Sequence, residues 1–352
     1  MTAGAPLLSV EDLRTVFYTD KEEIHAVDGI SFDVRSGETL GLVGESGSGK
    51  SVTARSIMGL VDSPGRIVGG SVRYRGENLV GKSESALRSY RGGDIAMIFQ
   101  DPMTSLNPVY TVGNQIEEAL KLHQDLSGNA ATNEAASLLE SVNIPDARRR
   151  LGEYPHEFSG GMRQRALIAM ALACDPDLLI CDEPTTALDV TTQAQILELL
   201  SEIQAERDLA MLFITHDMGV IAEIADRVAV MYAGEIVERA DVEALFADPK
   251  HPYTRGLLES IPGRGDRGNR LYTIEGDVPT ATGPAASCRF APRCPEATEA
   301  CRETPPATVE VGGTDGPNGH VASCLLYPDD RAETDRIAYH ESMKADDGGE
   351  EK

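Results

Sequence analysis

Gly44-Glu45-Ser46-Gly47-Ser48-Gly49-Lys50-Ser51, followed by Val52, is the stretch whose reading decides the fold. It fits the pattern G-x-x-x-x-G-K-[ST] and follows the apolar run Thr39-Leu40-Gly41-Leu42-Val43. That is the strand–loop–helix context a phosphate-binding loop requires. Its glycines let successive backbone N–H groups turn inward around phosphate oxygens with no Cβ in the way. Lys50 is placed to reach β- and γ-phosphates and Ser51 to ligate Mg²⁺. A helix beginning near Lys50 aims the positive end of its dipole at the anion. The plain alternative is a Gly/Ser-rich turn, and two later segments remove it.

Leu178-Leu179-Ile180-Cys181-Asp182-Glu183-Pro184 reads as a buried parallel strand ending in two carboxylates. Asp182, at the C-terminal end of that strand, is placed to hold Mg²⁺ directly or through water. Glu183 follows, placed to polarise the water that attacks the γ-phosphate. A lone Asp-Glu pair is more often a solvated acidic turn, but here a phosphate-binding loop precedes it. The third segment, Phe158-Ser159-Gly160-Gly161-Met162-Arg163-Gln164-Arg165, opens a helix running through Ala173. Its serine N-cap and two glycines expose backbone donors at the helix start, a second anion site.

In this order the segments resemble the ATP-binding cassette (ABC) family, whose signature is LSGGQ-like; Met162 stands where many members have Gln. The resemblance covers roughly the first 260 residues. It implies ATP and Mg²⁺ as ligands, with Gln100, after Ala96-Met97-Ile98-Phe99, as the Q-loop residue that touches Mg²⁺ and couples nucleotide to a membrane partner. Ala187-Leu188-Asp189 resembles the D-loop, and His216 in Ile214-Thr215-His216-Asp217 the switch histidine that contacts the γ-phosphate. Phe17 or Tyr18 would stack on adenine, and the pattern does not decide between them. In the family, Ser159, Gly160 and Gly161 serve the ATP of an opposite subunit. A chain with one set of motifs therefore has to pair to work.

Composition sets the bounds. The 352 residues suffice for one large domain and an appendage. No apolar run approaches the roughly 18–20 residues that span a bilayer, and no signal peptide precedes Ser9. The expectation is a cytosolic protein unless a partner carries it to a membrane. A net charge of −25 and a pI of 4.6 argue against any general nucleic-acid surface. Only seven of the 32 basic residues are lysine, against 57 acidic ones. Such a surface fits a high-salt cytoplasm, where a screening length of about 3 Å at 1 M suppresses self-repulsion; an acidic protein of an ordinary cell is the plainer alternative.

The expected fold is α/β, a P-loop NTPase of the ABC nucleotide-binding type with a mostly parallel sheet, an antiparallel β subdomain and a helical subdomain. The ATPase domain is expected over 1–262, with the helical subdomain at about 101–165 and helices at Val112–His123 and Thr132–Ser141. Strands are expected at Gly69–Tyr74, Ala210–Ile214 and Arg227–Tyr232. After Pro262 the composition shifts to Gly, Pro and Arg, which reads as a linker. A cysteine-rich extension over 263–328 and a charged tail over 329–352 follow.

The segment His251 to Pro262 resembles the end of the ATPase domain in dipeptide/oligopeptide importer subunits. Beyond it stand Cys288, Cys294, Cys301 and Cys324, while Cys174 and Cys181 read as small core fillers. Four clustered cysteines in a reducing cytosol suggest metal before disulfides, but their spacing identifies no metal. Iron–sulfur, zinc and plain packing stay open on spacing alone; the importer resemblance implies a structural [4Fe–4S] cluster. The same resemblance implies an ATPase energising import of dipeptides, oligopeptides or related solutes. Its partners would be a second ATPase subunit in a heterodimer, two membrane permease subunits and an external binding protein. It would sit at the cytoplasmic face of the membrane. Import of a nickel chelate or a sugar is the alternative, and a non-transport ABC ATPase of translation or repair the more distant one.

Overall fold

The computed structural model describes residues 5–100, 105–186, 188–261, 273–312 and 319–327. In chain order the strands are β1 Leu8–Tyr18, β2 Glu23–Val34, β3 Thr39–Val43, β4 Gly65–Tyr74, β5 Glu77–Asn78, β6 Ile95–Ile98, β7 Leu178–Asp182, β8 Ala210–Thr215, β9 Arg227–Tyr232, β10 Glu235–Asp241, β11 Thr308–Glu310 and β12 Val321–Ser323. The described residues divide into two units: those within 1–33, 40–77 and 215–352, and those within 34–39 and 78–214.

In the first unit β1 pairs antiparallel with β4, from Leu8 opposite Tyr74 to Phe17 opposite Gly65, and β2 lies on the other edge of β1. β4 begins four residues before the predicted Gly69, because Arg66-Ile67-Val68 continue the extended, β-branched pattern. The phosphate-loop strand β3 runs parallel to β9, with Leu40 opposite Arg227 and Val43 opposite Val230. Both are buried at every residue, as strands covered on both faces must be. β9 turns into antiparallel β10 through Ala233 and Gly234, both at positive φ. β12 then pairs with β10 and β11 with β12, all antiparallel. The cysteine-bearing residues thus add two strands to the sheet that carries the phosphate loop.

Two clusters bind those residues down. The rings of Tyr232, Tyr253 and Phe290 pack with centroids 4.7 to 5.3 Å apart. Tyr253 belongs to the helix Pro252–Glu259, whose N-cap His251 accepts the Tyr253 N–H on Nδ1. The second cluster centres on buried Asp28, whose carboxylate meets Arg14 and Arg289 at 2.5 Å each. Removing one partner from such a buried, charge-assisted set costs far more than its net contribution.

The second unit is a parallel sheet in the order β6-β7-β8. With it come helices Glu84–Tyr90, Val112–His123, Asn129–Ser141, Ala147–Arg150, Gly160–Leu172 and Val190–Arg207. Thr111 caps the second of these by accepting from the Asn114 N–H. The helix predicted from Thr132 starts earlier, at Asn129, because Gly128 at φ 59° ends the preceding loop and Ala130 and Ala131 propagate helix well. Cys181 is fully buried, as expected, but Cys174 is only half-buried in the turn after Leu172, which corrects its reading as core. Among the described residues no helix is long and apolar enough to cross a membrane. The linker after Pro262, as far as residue 272, and the tail from Asp329 lie outside the described residues.

Candidate active site

The phosphate loop is built around its own backbone. Gly49 takes φ 107°, and a Cβ there would lie 2.2 Å from the Ala26 carbonyl, so only glycine fits. The helix it begins, Lys50–Ile57, has no side-chain cap bond and no acid in its first turn, which leaves its dipole uncompensated by side-chain charge. Lys50 is buried and folds back, donating from Nζ to the carbonyls of Gly44 at 2.7 Å and Glu45 at 2.9 Å. Ser48 is fully buried, whereas Ser46 and Gly47 form the exposed rim; Ser51 and Val52 are half-buried on the helix. Glu45 is held at every polar group. Its N–H donates to the Tyr253 hydroxyl at 2.9 Å, its carbonyl takes Ser48 N–H and Lys50, and its carboxylate takes Arg293 at 3.0 and 3.1 Å.

In the second unit the strand β7 delivers both carboxylates. Asp182 is its last residue, 2% exposed, and Glu183 follows at φ 49°. A non-glycine residue in the left-handed region costs on the order of 1–3 kcal/mol and is retained where it aims a functional group. The Glu183 N–H is tied to the Ile214 carbonyl, and its Oε2 accepts from Gln100 Nε2 at 3.0 Å and Thr186 Oγ1 at 2.9 Å. So the structure brings Gln100 and Glu183 together, two residues 83 positions apart. Thr186 was missed by the sequence reading; a hydroxyl three residues after a carboxylate was the available signal. Of the coupling segment after Gln100, Asp101 to Thr104 lie outside the described residues, as does Ala187 of the D-loop.

Ser159 caps the helix Gly160–Leu172 by accepting from the Met162 N–H at 3.3 Å. Ser159 and Gly160 are exposed, while Gly161 is pressed onto Thr192, whose Cγ2 a Cβ would meet at 2.6 Å. Asp189 is an exposed N-cap for Val190–Arg207, accepting from Thr191 and Thr192 N–H and from Thr192 Oγ1. The Thr192 hydroxyl first, then the backbone donors, holds its carboxyl below the usual range. His216, in the first unit, is exposed just past β8, before the Asp217 cap of Met218–Ile224. Of the two aromatics, Phe17 is half-buried against Gly65, whereas Tyr18 is 42% exposed with the Arg66 guanidinium 5.9 Å from its ring centre.

Cys288, Cys294, Cys301 and Cys324 are free thiols within electrostatic reach of one another. Burial pushes Cys288 up to about 11 and Cys294 to about 12, and raises Cys324 further. Cys288 N–H donates to the Cys301 carbonyl, joining the two ends of the segment. Thiols so raised stay protonated unless a metal replaces the proton, and four soft donors suit an iron–sulfur cluster chemically. Among the described residues no three His, Cys, Asp or Glu side chains are drawn together tightly enough to share one ion.

Residues 27–186 match the family described as ABC transporter, and residues 237–301 match the oligopeptide/dipeptide transporter C-terminal region. A Brucella abortus (strain 2308) protein named as a peptide import ATP-binding protein is 54% identical over 334 residues, covering 92% of this chain and 97% of its own. A Sinorhizobium fredii protein named as a peptide ABC transporter ATP-binding protein is 54% identical over 320 residues, 90% of this chain and 94% of its own. Among solved structures, a dimeric ATP-binding cassette bound to ADP and Pi superposes with TM-score 0.61 at 26% identity, over 67% of this chain and 98% of that one. A Clostridium perfringens protein that is part of an ABC transporter complex gives 0.59 at 25% identity, over 70% and 92%.

Proposed function

This chain belongs to the ABC transporter ATP-binding family, and from that premise we infer that it is the ATP-hydrolysing subunit of a peptide importer. The observation that carries the chemistry is Glu183: a carboxylate at positive φ beside buried Asp182, oriented by Gln100 and Thr186. A base so fixed costs little reorganisation when water attacks. Gly44 to Val52 cradle the triphosphate. Lys50 would exchange the loop carbonyls it holds for the β- and γ-phosphates, and Ser51, Asp182 and Gln100 would be the ligands of Mg²⁺, which would neutralise charge on the phosphates. His216 contacts the γ-phosphate, and Tyr18, the more exposed aromatic, stacks on adenine.

Exposed Ser159 and Gly160, with Gly161 and Asp189, serve a second ATPase subunit, and a heterodimer fits the family's use of two different ATPases. Motion passes through Gln100 and the segment to Pro108 into a membrane permease, placing the chain peripherally at the cytoplasmic face. We keep 1–262 as the ATPase domain, 263–328 as the cysteine-rich extension and 329–352 as a tail. The four thiolates Cys288, Cys294, Cys301 and Cys324 would hold a [4Fe–4S] cluster that clamps this extension. The acid-rich, lysine-poor composition supports a high-salt cytoplasm.

The test is ATP turnover by the membrane complex purified with this chain, with and without binding protein loaded with peptide. Stimulation by peptide-loaded protein is expected; stimulation only by a sugar or a nickel chelate would move the solute class. About four irons and four acid-labile sulfides per chain, lost in Cys294→Ser, support the cluster, and stoichiometric zinc overturns it.

A further inference from the structure

Arg293 lies in the cysteine-bearing segment, one residue before Cys294 and 248 positions from the phosphate loop it touches. Its side chain is 6% exposed, and every N–H it owns is aimed. Nε donates to the Glu275 carbonyl at 2.9 Å. Nη1 reaches Glu45 Oε1 at 3.1 Å and the Tyr232 hydroxyl at 3.4 Å, and Nη2 reaches Glu45 Oε2 at 3.0 Å and the Ile274 carbonyl at 3.3 Å. The guanidinium also lies over the Tyr232 ring, 5.7 Å from its centre. A fork-to-carboxylate pair of this kind fixes direction as well as distance, which an ammonium cannot do.

The other end of the pair explains why direction matters. Glu45 is the first variable residue of a loop with glycines at 44, 47 and 49, two of them at positive φ. So glycine-rich a loop has little conformational preference of its own. Its shape is set where it is tied. Two of the ties on Glu45, Tyr253 to its N–H and Arg293 to its carboxylate, come from within residues 237–301, the oligopeptide/dipeptide transporter C-terminal region. The carboxylate would also repel a triphosphate if left bare, and Arg293 neutralises it.

We propose that Arg293 is a positioning residue for nucleotide binding: it fixes and neutralises Glu45, so that the C-terminal region sets the affinity of the phosphate loop. The proposal rests on the reading of that loop as the ATP site, which wild-type binding of Mg-ATP tests separately.

Equilibrium binding of Mg-ATP to the full chain, with KM and kcat measured on the assembled complex, decides it. Arg293→Met should raise Kd and KM about tenfold, the scale of one charge-assisted bidentate pair. The same change should leave kcat within about threefold, because the hydrolytic residues are untouched. Arg293→Lys keeps the charge without the fork and should fall between. Glu45→Gln should weaken binding too, whereas a carboxylate that merely repelled phosphate would tighten it when neutralised. The double variant should bind no worse than Arg293→Met alone. If Arg293→Met does not fold, Glu45→Gln leaves the carbonyl and ring contacts of Arg293 in place and carries the test by the sign of its effect. Unchanged or tighter binding in Glu45→Gln, or strictly additive losses, overturns the proposal. Wild type that binds no Mg-ATP overturns the nucleotide reading itself.

Discussion

Two helix starts in this chain are made of the same residues, serine and glycine, and are finished differently. At Gly49–Lys50 no side chain caps the helix, the loop before it is buried at Gly44 and Ser48, and residues from the C-terminal region tie it down. At Ser159–Gly160 the serine caps its own helix and both residues are exposed. The first is held in shape from within the chain. The second lies on the surface, where the proposed function assigns it to another subunit's nucleotide. On the proposed function, one chain carries one cradle and one half of another, and pairing would follow from that difference.

The largest effect should come from removing the proposed general base. Glu183→Gln should cut turnover by about 10²–10⁴-fold while keeping ATP binding, and should accumulate a closed pair of subunits. Wild-type turnover in that variant, with the partner subunit present, would remove Glu183 from its role.

Acid should loosen the first start and spare the second. Burial pushes His251, the cap of the helix that carries Tyr253, down to about 4 from 6.5. Between those values the unfolded chain binds a proton that the folded chain refuses. The stabilisation is therefore complete above pH 6.5 and lost as pH falls toward 4, on the order of 3 kcal/mol in all. His251→Asn keeps an acceptor for the Tyr253 N–H and should flatten the acid limb of a denaturation series. An unchanged limb would assign it to another group.

A smaller effect should mark the second start. Gly161→Ala sets a Cβ 2.6 Å from Thr192 Cγ2 and should cost about 1–3 kcal/mol of stability by overpacking. Thr192→Ser removes that methyl yet keeps the hydroxyl on Asp189, so the double variant should regain most of the loss. Failure to regain it would mean the helix start is strained for a reason other than this contact. Smallest of all, Ser159→Ala should cost about 1 kcal/mol for the lost cap, read by chemical denaturation. A loss of several kcal/mol would show that the exposed start is anchored more deeply than its hydrogen bond indicates.

What was legible in the sequence was whatever is local. Gly44 to Ser51 after an apolar strand, Asp182-Glu183 at the end of another and Ser159 before two glycines each announce themselves within ten residues. Apolar runs without alternation gave β3, β7, β8 and β9 as strands buried on both faces. What the sequence withheld is pairing across distance. Gln100 meets Glu183 through the parallel neighbours β6 and β7, and Arg293 meets Glu45 beside the packed rings of Tyr232, Tyr253 and Phe290. No spacing rule reaches across 83 or 248 positions. The cysteines show the same limit: their spacing named no metal, and the fold adds that they ride on residues tied to the phosphate loop.

The most direct test is specific ATPase activity as a function of protein concentration, with molecular mass followed by light scattering in high salt. One Mg-ATP should bind per chain at every concentration. Turnover per chain should vanish where the protein is monomeric and rise as pairs form or as the partner subunit is added. Turnover per chain that stays constant down to concentrations at which only monomer is present would rule out pairing as a requirement for hydrolysis.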